Sequence, residues 1–312
     1  MNVWDAEHAL DATGARRLLA AQFPDLALDS VELLAVGWDN TVFLVDRTWA
    51  VRFPRREVAL PLMTRELALL PTLAPRLPLP VPVPELLGRP DGDYPWPFWG
   101  ARLVPGVELA DARLPEDGRE SLGAAVGAFL RTLHQPSVAH DLRGLLPYDP
   151  MRRGTPSTRG PMARAALDQL AGRGAWTAGS PADRAVDEVI AAADPLPPPT
   201  GEPVVVHGDL HLRHLLVGSD GAATGVIDWG DSCLADPSLD LSLAFAGFAG
   251  SARAALLESY DGKVDEEREL RARVLALALC AVLADYADLE GNDALLAESI
   301  AGVHRAADAT GG

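Results

Sequence analysis

Hydrophobic and polar positions alternate with a period of two near the start of the chain, and short polar turns interrupt the pattern. The alternation predicts three strands, at Val31–Val36, Thr41–Val45 and Thr48–Phe53. Strands that are joined by such short turns are antiparallel neighbours in a sheet. A further strand is predicted at Trp99–Val104, so the first part of the chain is expected to form a small, sheet-rich lobe.

Helical periodicity accompanies these strands. Apolar residues three and four positions apart predict helices at Asp5–Phe23 and Glu57–Leu73. Nine prolines between Pro71 and Pro97 predict a stretch of loop and extended edge structure, because proline donates no backbone hydrogen bond.

Beyond Gly106 the pattern is mainly helical. The predicted helices are Ser121–His134, Met162–Ala171, Asp183–Ala193 and most of the chain after Pro237. Residues 136–161, rich in proline, glycine and arginine, are predicted to be irregular, and short strands are predicted at 204–206, 215–217 and 225–228. The pattern therefore indicates an α+β protein with a sheet-rich lobe over 1–104 and a larger helical lobe over 105–312.

Composition narrows the class of protein. The chain has 312 residues, a net charge of −17 and a hydrophobic fraction of 48%, which is enough apolar sequence for a packed core and excludes a disordered chain. The acidic balance argues against a nucleic-acid partner, and no apolar run reaches the roughly 18 residues that predict a membrane span. The start of the chain lacks the basic region of a secretory signal and there are two cysteines, so we expect a cytoplasmic location.

The acidic charge is concentrated in the second part of the chain. Residues 1–104 hold 10 basic and 13 acidic side chains, a net charge of −3, and residues 105–312 hold 17 and 31, a net charge of −14. Two interpretations stay open: a solubilising surface, or a field that attracts a cationic small molecule.

Two aspartates follow short apolar strands within the segment Val204–Leu241. Asp209 and Asp228 each come where a predicted strand ends, and a single aspartate in such a place is commonly a turn former. Beside Asp209 lie a glycine and three histidines: His207, Gly208, His211 and His214. Turn formation does not explain this clustering, so the segment is the candidate for the chemistry.

The motifs in this segment are similar to those of a known family. HGD at 207–209 resembles the catalytic loop of the aminoglycoside phosphotransferase family, and IDWGD at 227–231 resembles its metal-binding segment. DPSLDL at 236–241 and WAVRFPRR at 49–56 extend the resemblance, which is strongest to the macrolide phosphotransferase branch. The resemblance implies a bilobal protein-kinase-like fold, ATP or GTP as phosphate donor, and Mg²⁺ or Mn²⁺ as cofactor.

The resemblance also implies roles for individual residues. Asp209 would accept the proton of the acceptor hydroxyl and orient its oxygen, and Asp228 would hold the metal that bridges the nucleotide phosphates. Arg52 falls where kinases place the strand lysine that contacts the α- and β-phosphates. Glu66 would orient Arg52; its alternative is an exposed helix residue paired with Arg65 or solvent.

His214 departs from the family pattern, which has asparagine, an oxygen ligand for the metal, at this position. An imidazole is a less suitable ligand for Mg²⁺, so three outcomes stay open: nitrogen ligation with manganese tolerated, ligation through a water, or a weakened or inactive enzyme. Arg213 would add positive charge for the transferring phosphoryl group, or else form a salt bridge with a nearby carboxylate such as that of Asp209.

Other residues are expected to bind the nucleotide or to stabilise the loops of the site. The nucleotide-covering turn is expected at Gly37, Asn40 and Thr41, although it lacks a full GxGxxG motif, and the base is expected against the backbone of Arg102, Leu103 and Val104. We expect His207 to hold its loop through backbone hydrogen bonds and Asp240 to tie the helix after Pro237 back to that loop. His134 is expected to be a packing histidine.

Three functions are consistent with this sequence. The first is transfer of the γ-phosphate of ATP or GTP to a hydroxyl of a small molecule, with cationic antibiotics (aminoglycosides or macrolides) favoured by the acidic second part. The second is a metabolic kinase for an amino alcohol, a sugar or an amino acid. The third is a non-catalytic nucleotide-binding protein, suggested by His214 and the missing glycine motif.

Overall fold

The computed structural model describes residues 6–92, 94–261 and 264–308. The chain divides into two compact units. The first unit comprises Met1–Arg76 with Pro80–Val104, and the second comprises Leu77–Leu79 with Pro105–Gly312. Among the described residues, no helix has both the length and the apolar character needed to cross a membrane.

The first unit is built on an antiparallel sheet. Its elements are α1 (Ala12–Gln22), β1 (Val31–Val36), β2 (Asn40–Val45), β3 (Trp49–Pro54), α2 (Ala59–Leu73), β4 (Pro84–Gly88) and β5 (Phe98–Arg102). The strand order is β1-β2-β3-β5-β4. Asp46 and Arg47, both with φ of 51°, form the tight turn between β2 and β3. Phe43, Phe53 and Phe98 pack from the sheet against the buried face of α1 and form the core of this unit.

Helices dominate the second unit. They are α3 (Leu109–Ala112), α4 (Glu120–Leu133), α5 (Pro136–Leu142), α6 (Pro156–Arg173), α7 (Pro181–Ala193), α8 (Ser238–Gly247), α9 (Gly250–Tyr260), α10 (Glu266–Glu290) and α11 (Asp293–Ala307). Short strands lie among them: β6 (Val107–Glu108), β7 (Val204–Val206), β8 (Leu215–Val217), β9 (Ala223–Val226) and β10 (Cys233–Ala235). Strand β7 pairs with β10, and β8 pairs with both β6 and β9.

The α+β class is confirmed, but some element boundaries differ from the prediction. Residues 136–161 are irregular only over 143–155: the rest of the range contains α5 and the start of α6, because Pro136 and Pro156 occupy first helical turns, where a missing N–H has no partner to lose. Helix α1 begins at Ala12, with the Asp11 carboxylate accepting from the amide of Gly14; the predicted start, Asp5, lies outside the described residues. The strand predicted at 225–228 lies two residues earlier in the chain, where it forms β9 (Ala223–Val226).

Strand β4 lies within the stretch that nine prolines mark as loop and extended structure, and it forms an edge of the sheet. Proline is tolerated at a sheet edge because an edge strand leaves part of its backbone unpaired. Helix α2 ends at Leu73, as predicted, and contains Pro71 in its last turn.

Helices α4 and α9 approach closely at a glycine of α4. A methyl group at Gly127 would overlap the carbonyl oxygen of Leu256 on α9.

We expect Gly127→Ala to lower the free energy of unfolding by about 1–3 kcal/mol, because the overlap forces the backbones apart. The control Gly172→Ala, where the added methyl group meets open space in α6, should leave that free energy unchanged or raise it by up to about 1 kcal/mol. Chemical denaturation measures both, and equal effects would contradict the close approach.

Candidate active site

Strand pairing in the second unit brings two polar loops side by side. The HGD loop (residues 207–214) joins β7 to β8, and the IDWGD loop (residues 227–231) joins β9 towards β10. Val206 at the end of β7 pairs with Cys233 of β10, and Leu215 at the start of β8 pairs with Val226 of β9. Both ends of one loop are therefore adjacent to the ends of the other.

A buried carboxylate on α8 fixes the start of the HGD loop. Asp240 accepts hydrogen bonds from the amides of His207 (2.8 Å) and Gly208 (3.1 Å), and Nε2 of His134 lies 3.2 Å from its carboxylate. Gly208 has φ of 87°, and a Cβ there would collide with the carbonyl oxygen of Asp231. The predicted tie from Asp240 to the loop is thus confirmed, and His134 is a buried, hydrogen-bonded histidine as expected.

His207 holds the two loops together. Its Nε2 lies 2.9 Å from the carbonyl oxygen of Ile227, and its Nδ1 accepts from the amide of Asp209 at 3.3 Å. These partners place the proton on Nε2, since a carbonyl oxygen can only accept. Burial lowers the pKa of His207, so the ring is a neutral crosslink at physiological pH.

The two aspartates of the motifs lie close to the same imidazole. Nδ1 of His214 lies 2.8 Å from the backbone carbonyl oxygen of Asp209 and 4.0 Å from its carboxylate, and Nε2 of His214 lies 3.6 Å from Oδ2 of Asp228. Asp228 has a left-handed backbone, with φ of 68°, a conformation that aspartate adopts more readily than most residues. Its side chain is about half exposed, at 48%, so it can reach a ligand.

His211 lies next to Asp209 and stacks on His214. The two rings are 3.8 Å apart at 29°, and Nε2 of His211 lies 3.6 Å from Oδ2 of Asp209. Nδ1 of His211 accepts from the amide of Arg213, which leaves the proton on Nε2. Burial, with the neighbouring His214, lowers the pKa of His211 well below its usual value, so His211 presents a neutral N–H towards Asp209.

Asp209, His211 and His214 offer ligand atoms that all lie within 4.8 Å of one another, a spacing that suits one metal ion. Hydrogen bonding makes this trio a poorer ligand set than the distances suggest, because Nε2 of His211 carries a proton. His214 and Asp228 instead combine an imidazole nitrogen with a carboxylate oxygen 3.6 Å away, and that donor set fits a divalent cation.

Arg213 is held by a carboxylate that the sequence analysis did not name. Its guanidinium donates to both carboxylate oxygens of Glu108, at 2.9 and 3.1 Å. Burial alone would lower the pKa of Arg213, but the hydrogen bonds to Glu108 outweigh it and raise that pKa. The salt-bridge alternative is therefore present, with Glu108 rather than Asp209 as the partner.

In the first unit, Arg52 and Glu66 form a buried ion pair. Nη1 of Arg52 lies 2.7 Å from Oε1 of Glu66, and their side chains are 12% and 3% exposed. The alternative of Glu66 as an exposed helix residue is wrong, because α2 buries it towards the sheet. Trp99 lies under the guanidinium, 5.5 Å from its ring centre.

Two arginines stabilise the turn between β1 and β2 through hydrogen bonds to its backbone carbonyls. The amide of Gly37 donates to the carbonyl of Asn40 at 2.9 Å, and Arg55 donates to the carbonyl of Gly37 at 2.7 Å. Arg56 donates to the carbonyl of Trp38 at 3.1 Å, and Thr41 is buried in the sheet. The turn is thus ordered without a glycine-rich motif.

The segment predicted to contact the nucleotide base, Arg102–Val104, already makes contacts with β3 and the turn before it. The amide of Leu103 donates to the carbonyl of Thr48 at 2.8 Å, and the guanidinium of Arg102 lies 4.0 Å above the Trp49 ring. The amide of Leu103 is therefore not the donor to a base, which leaves the amide of Val104 as a donor and the carbonyl groups of this segment as acceptors.

Arg153 is a site residue that the sequence analysis missed. Its Nη1 donates to the carbonyl of Gly208 at 3.1 Å and lies 3.0 Å from Oδ1 of Asp231, so it joins the HGD loop to the IDWGD loop. Burial opposes the charge, but Asp209 and Asp231 outweigh it and raise the pKa of Arg153. The only available signal was the arginine content of residues 136–161, since Arg153 is distant from both motifs in sequence.

Comparison with known proteins gives a family match. A family model described as "Phosphotransferase enzyme family" (APH) matches residues 30–273, well over half of the chain. Over 57 residues, the sequence is 42% identical to "Uncharacterized protein YcbJ" of Bacillus subtilis (strain 168). That alignment spans 18% of this chain and 19% of the relative's length.

Solved structures of similar fold include aminoglycoside and macrolide phosphotransferases. The GDP complex of wild-type aminoglycoside 2'-phosphotransferase-IIIa matches with a TM-score of 0.68 and 21% identity, covering 96% of this chain and 99% of that one. The macrolide 2'-phosphotransferase MphH from Brachybacterium faecium matches with a TM-score of 0.59 and 21% identity, covering 94% and 97%. These matches confirm the protein-kinase-like fold, and the family match confirms the predicted resemblance.

Arg153→Gln tests the junction between the two loops. Removing the guanidinium leaves the Gly208 carbonyl and the Asp231 carboxylate without this donor, so we expect the free energy of unfolding to fall by about 1–3 kcal/mol. Arg152→Gln, at an exposed neighbour, should change it by no more than about 0.5 kcal/mol. Denaturant titration measures both, and a neutral Arg153→Gln would show that the junction is not stabilising.

Proposed function

The chain belongs to the phosphotransferase enzyme family, and from that premise we propose that it transfers the γ-phosphate of ATP or GTP to a hydroxyl group of a small molecule. The observation that carries the proposal is the position of Asp209 and Asp228 around His214, within 4.0 and 3.6 Å of its ring nitrogens. One carboxylate is then available to the acceptor and the other to a cation.

Asp209 orients the acceptor hydroxyl and accepts its proton. Phosphoryl transfer passes through a loose transition state, so the main task of this carboxylate is to position the oxygen. Nε2 of His211 lies 3.6 Å from Oδ2 of Asp209, so the ring flanks this carboxylate. The side chain of Asp209 is 26% exposed, which leaves it accessible to an acceptor.

His214 and Asp228 hold the divalent cation, Mg²⁺ or Mn²⁺. When bound, such an ion neutralises negative charge on the phosphate oxygens of the nucleotide. The HGD loop keeps the His214 ring in place through its hydrogen bond to the Asp209 carbonyl and through stacking on His211.

The first unit supplies the remaining contacts to the nucleotide. Arg52, held by Glu66, contacts the α- and β-phosphates, and its planar guanidinium can pair with two phosphate oxygens at once. The turn that contains Gly37, Asn40 and Thr41 covers the phosphates. Arg213, already bound to Glu108, adds positive potential in this proposal and does not contact the substrate directly.

Cationic antibiotics are the first class of acceptor. Two observations support them: the net charge of −14 over residues 105–312, and a relative of similar fold whose structure is described as a GDP and kanamycin complex of APH(2")-IIia, at 23% identity and a TM-score of 0.67. In this proposal the protein phosphorylates an aminoglycoside or a macrolide and so confers resistance to it.

A metabolic acceptor is the second candidate, because of Arg159. Its guanidinium donates to the carbonyl of Arg153 at 3.1 Å and lies 3.3 Å from Sδ of Met162. Burial and the neighbouring Arg153 lower the pKa of Arg159, and Asp209 lies within its electrostatic reach. Two guanidinium groups near Asp209 disfavour a polycation there and favour a neutral or anionic hydroxyl compound.

The cytoplasmic location also stays a prediction. Cys233 and Cys280 are buried and neither forms a disulfide, and burial raises the pKa of Cys280 to about 12.

A mass-shift screen for added phosphate tests the function and identifies the acceptor. The panel contains aminoglycosides, macrolides, amino alcohols, sugars and hydroxy acids, each with ATP or GTP.

We expect Asp209→Asn to lower kcat by about 100-fold or more while nucleotide affinity changes little, because this carboxylate acts on the acceptor. Asp228→Asn should weaken metal-dependent nucleotide binding. The exposed control Asp117→Asn should match the wild type.

Each outcome decides between the candidates. Phosphorylation of the antibiotics alone supports the first class of acceptor, and phosphorylation of neutral or anionic compounds alone supports the second. Full turnover by Asp209→Asn would contradict the assigned site. Nucleotide binding without metal dependence and without transfer to any acceptor would favour the non-catalytic alternative.

A further inference from the structure

Helices α4 and α9 lie side by side and run in the same direction. A methyl group at Gly123 of α4 would overlap the carbonyl oxygen of Ala252 on α9, and one at Gly127 would overlap that of Leu256. Each step along α4 is thus matched by an equal step along α9, and the missing side chains of the two glycines let the backbones approach. The C-terminal ends of the two helices therefore lie next to each other.

These two ends bring a histidine and a tyrosine together in the interior of the second unit. His134 follows the last residue of α4, Tyr260 is the last residue of α9, and they are 6% and 5% exposed. The hydroxyl of Tyr260 lies 3.0 Å from Nδ1 of His134. Burial raises the pKa of Tyr260 to about 12, so this hydroxyl keeps its proton at physiological pH.

The two ring nitrogens of His134 have different partners, and these partners fix the direction of each hydrogen bond. Nε2 lies 3.2 Å from Oδ2 of Asp240, and a carboxylate only accepts, so Nε2 carries the proton. In the neutral ring Nδ1 then has the lone pair, and the hydroxyl of Tyr260 donates to it. A hydroxyl, an imidazole and a carboxylate thus form one directed chain.

The chain ends on the backbone of the HGD loop. Oδ2 of Asp240, which accepts from Nε2 of His134, also accepts from the amide of His207, and Oδ1 accepts from the amide of Gly208. The imidazole and the loop therefore bind the same carboxylate oxygen. A movement of the ring changes the hydrogen bond that holds the loop, and Asp209 is the next residue along.

We propose that Tyr260 is a positioning residue for phosphate transfer, which acts on Asp209 through His134 and Asp240. A hydrogen bond at each nitrogen holds the imidazole in one orientation. Without the hydroxyl, Nδ1 is a buried acceptor with no donor from Tyr260, and the ring shifts towards another donor or water because such an unpaired group is costly. This inference rests on the proposed function, which gives the position of Asp209 its effect on a rate.

Nuclear magnetic resonance of the full-length protein, labelled with ¹⁵N-histidine, tests the chain without any substitution. The contact between the rings of His134 and Tyr260, whose centres are 5.6 Å apart, assigns the histidine signals. At about pH 8, where an ordinary imidazole is neutral, we expect the proton on Nε2 and a hydrogen-bonded lone pair on Nδ1. A proton on Nδ1 would show that Tyr260 does not donate, and it would overturn the inference.

Tyr260→Phe tests the positioning. We expect kcat to fall about threefold or more with little change in the KM for nucleotide, and hydrogen exchange at the amides of His207 and Gly208 to accelerate about fivefold or more. The matched control is Tyr94→Phe, which loses a buried hydroxyl that donates to the carbonyl of Pro54 at 2.8 Å in the first unit. It should change neither quantity. Wild-type kcat or wild-type exchange in Tyr260→Phe overturns the inference, as does an equal fall in kcat in the control.

Failure of this inference is distinguishable from failure of the proposed function. Phosphate transfer at the same kcat by the wild type and Tyr260→Phe overturns the inference and leaves the function intact. If no acceptor is phosphorylated, the function fails, and accelerated amide exchange in Tyr260→Phe alone still supports the hold of Tyr260 on the loop.

Discussion

The arrangement of the site depends on one buried carboxylate. Asp240 is fully buried in α8, where an isolated charge would be costly, and two backbone amides and the ring of His134 compensate it. The two amides belong to His207 and Gly208, the first residues of the HGD loop. Helix α8, which packs in the core of the second unit, thereby sets the position of Asp209, the residue that follows Gly208 in the chain.

From that anchor, the remaining parts of the site are held by short connections. His207 reaches the carbonyl of Ile227, the amide of Ile227 donates to the carbonyl of His214, and Arg153 joins the carbonyl of Gly208 to Asp231. These three connections link the HGD and IDWGD loops. His214, bound to the carbonyl of Asp209, lies next to Asp228. Catalysis by positioning requires such preorganisation, because the acceptor oxygen and the phosphoryl group must be held in a fixed geometry for transfer.

The sequence predicted the elements whose signals are local. Alternation and tight turns located β1, β2 and β3 to within a residue, and the spacing of DPSLDL predicted the tie from Asp240. Prolines were interpreted as breakers in residues 136–161, where Pro136 and Pro156 instead begin helices. Contacts between distant positions had no local signal: Glu108 is 105 residues from Arg213, and Gly208 is 55 residues from Arg153. The tautomers of the histidines depend on backbone carbonyl and amide groups, and no sequence motif gives the positions of those groups.

The most direct test of this account is the turnover number of Asp240→Asn. An asparagine keeps the volume but replaces one accepting oxygen with an NH₂ donor, so at least one loop amide loses its partner and Asp209 shifts. The account predicts that kcat falls about tenfold or more while the KM for nucleotide changes little, in a protein whose circular dichroism spectrum is native. A kcat equal to that of the wild type would contradict the claim that Asp240 positions the catalytic aspartate.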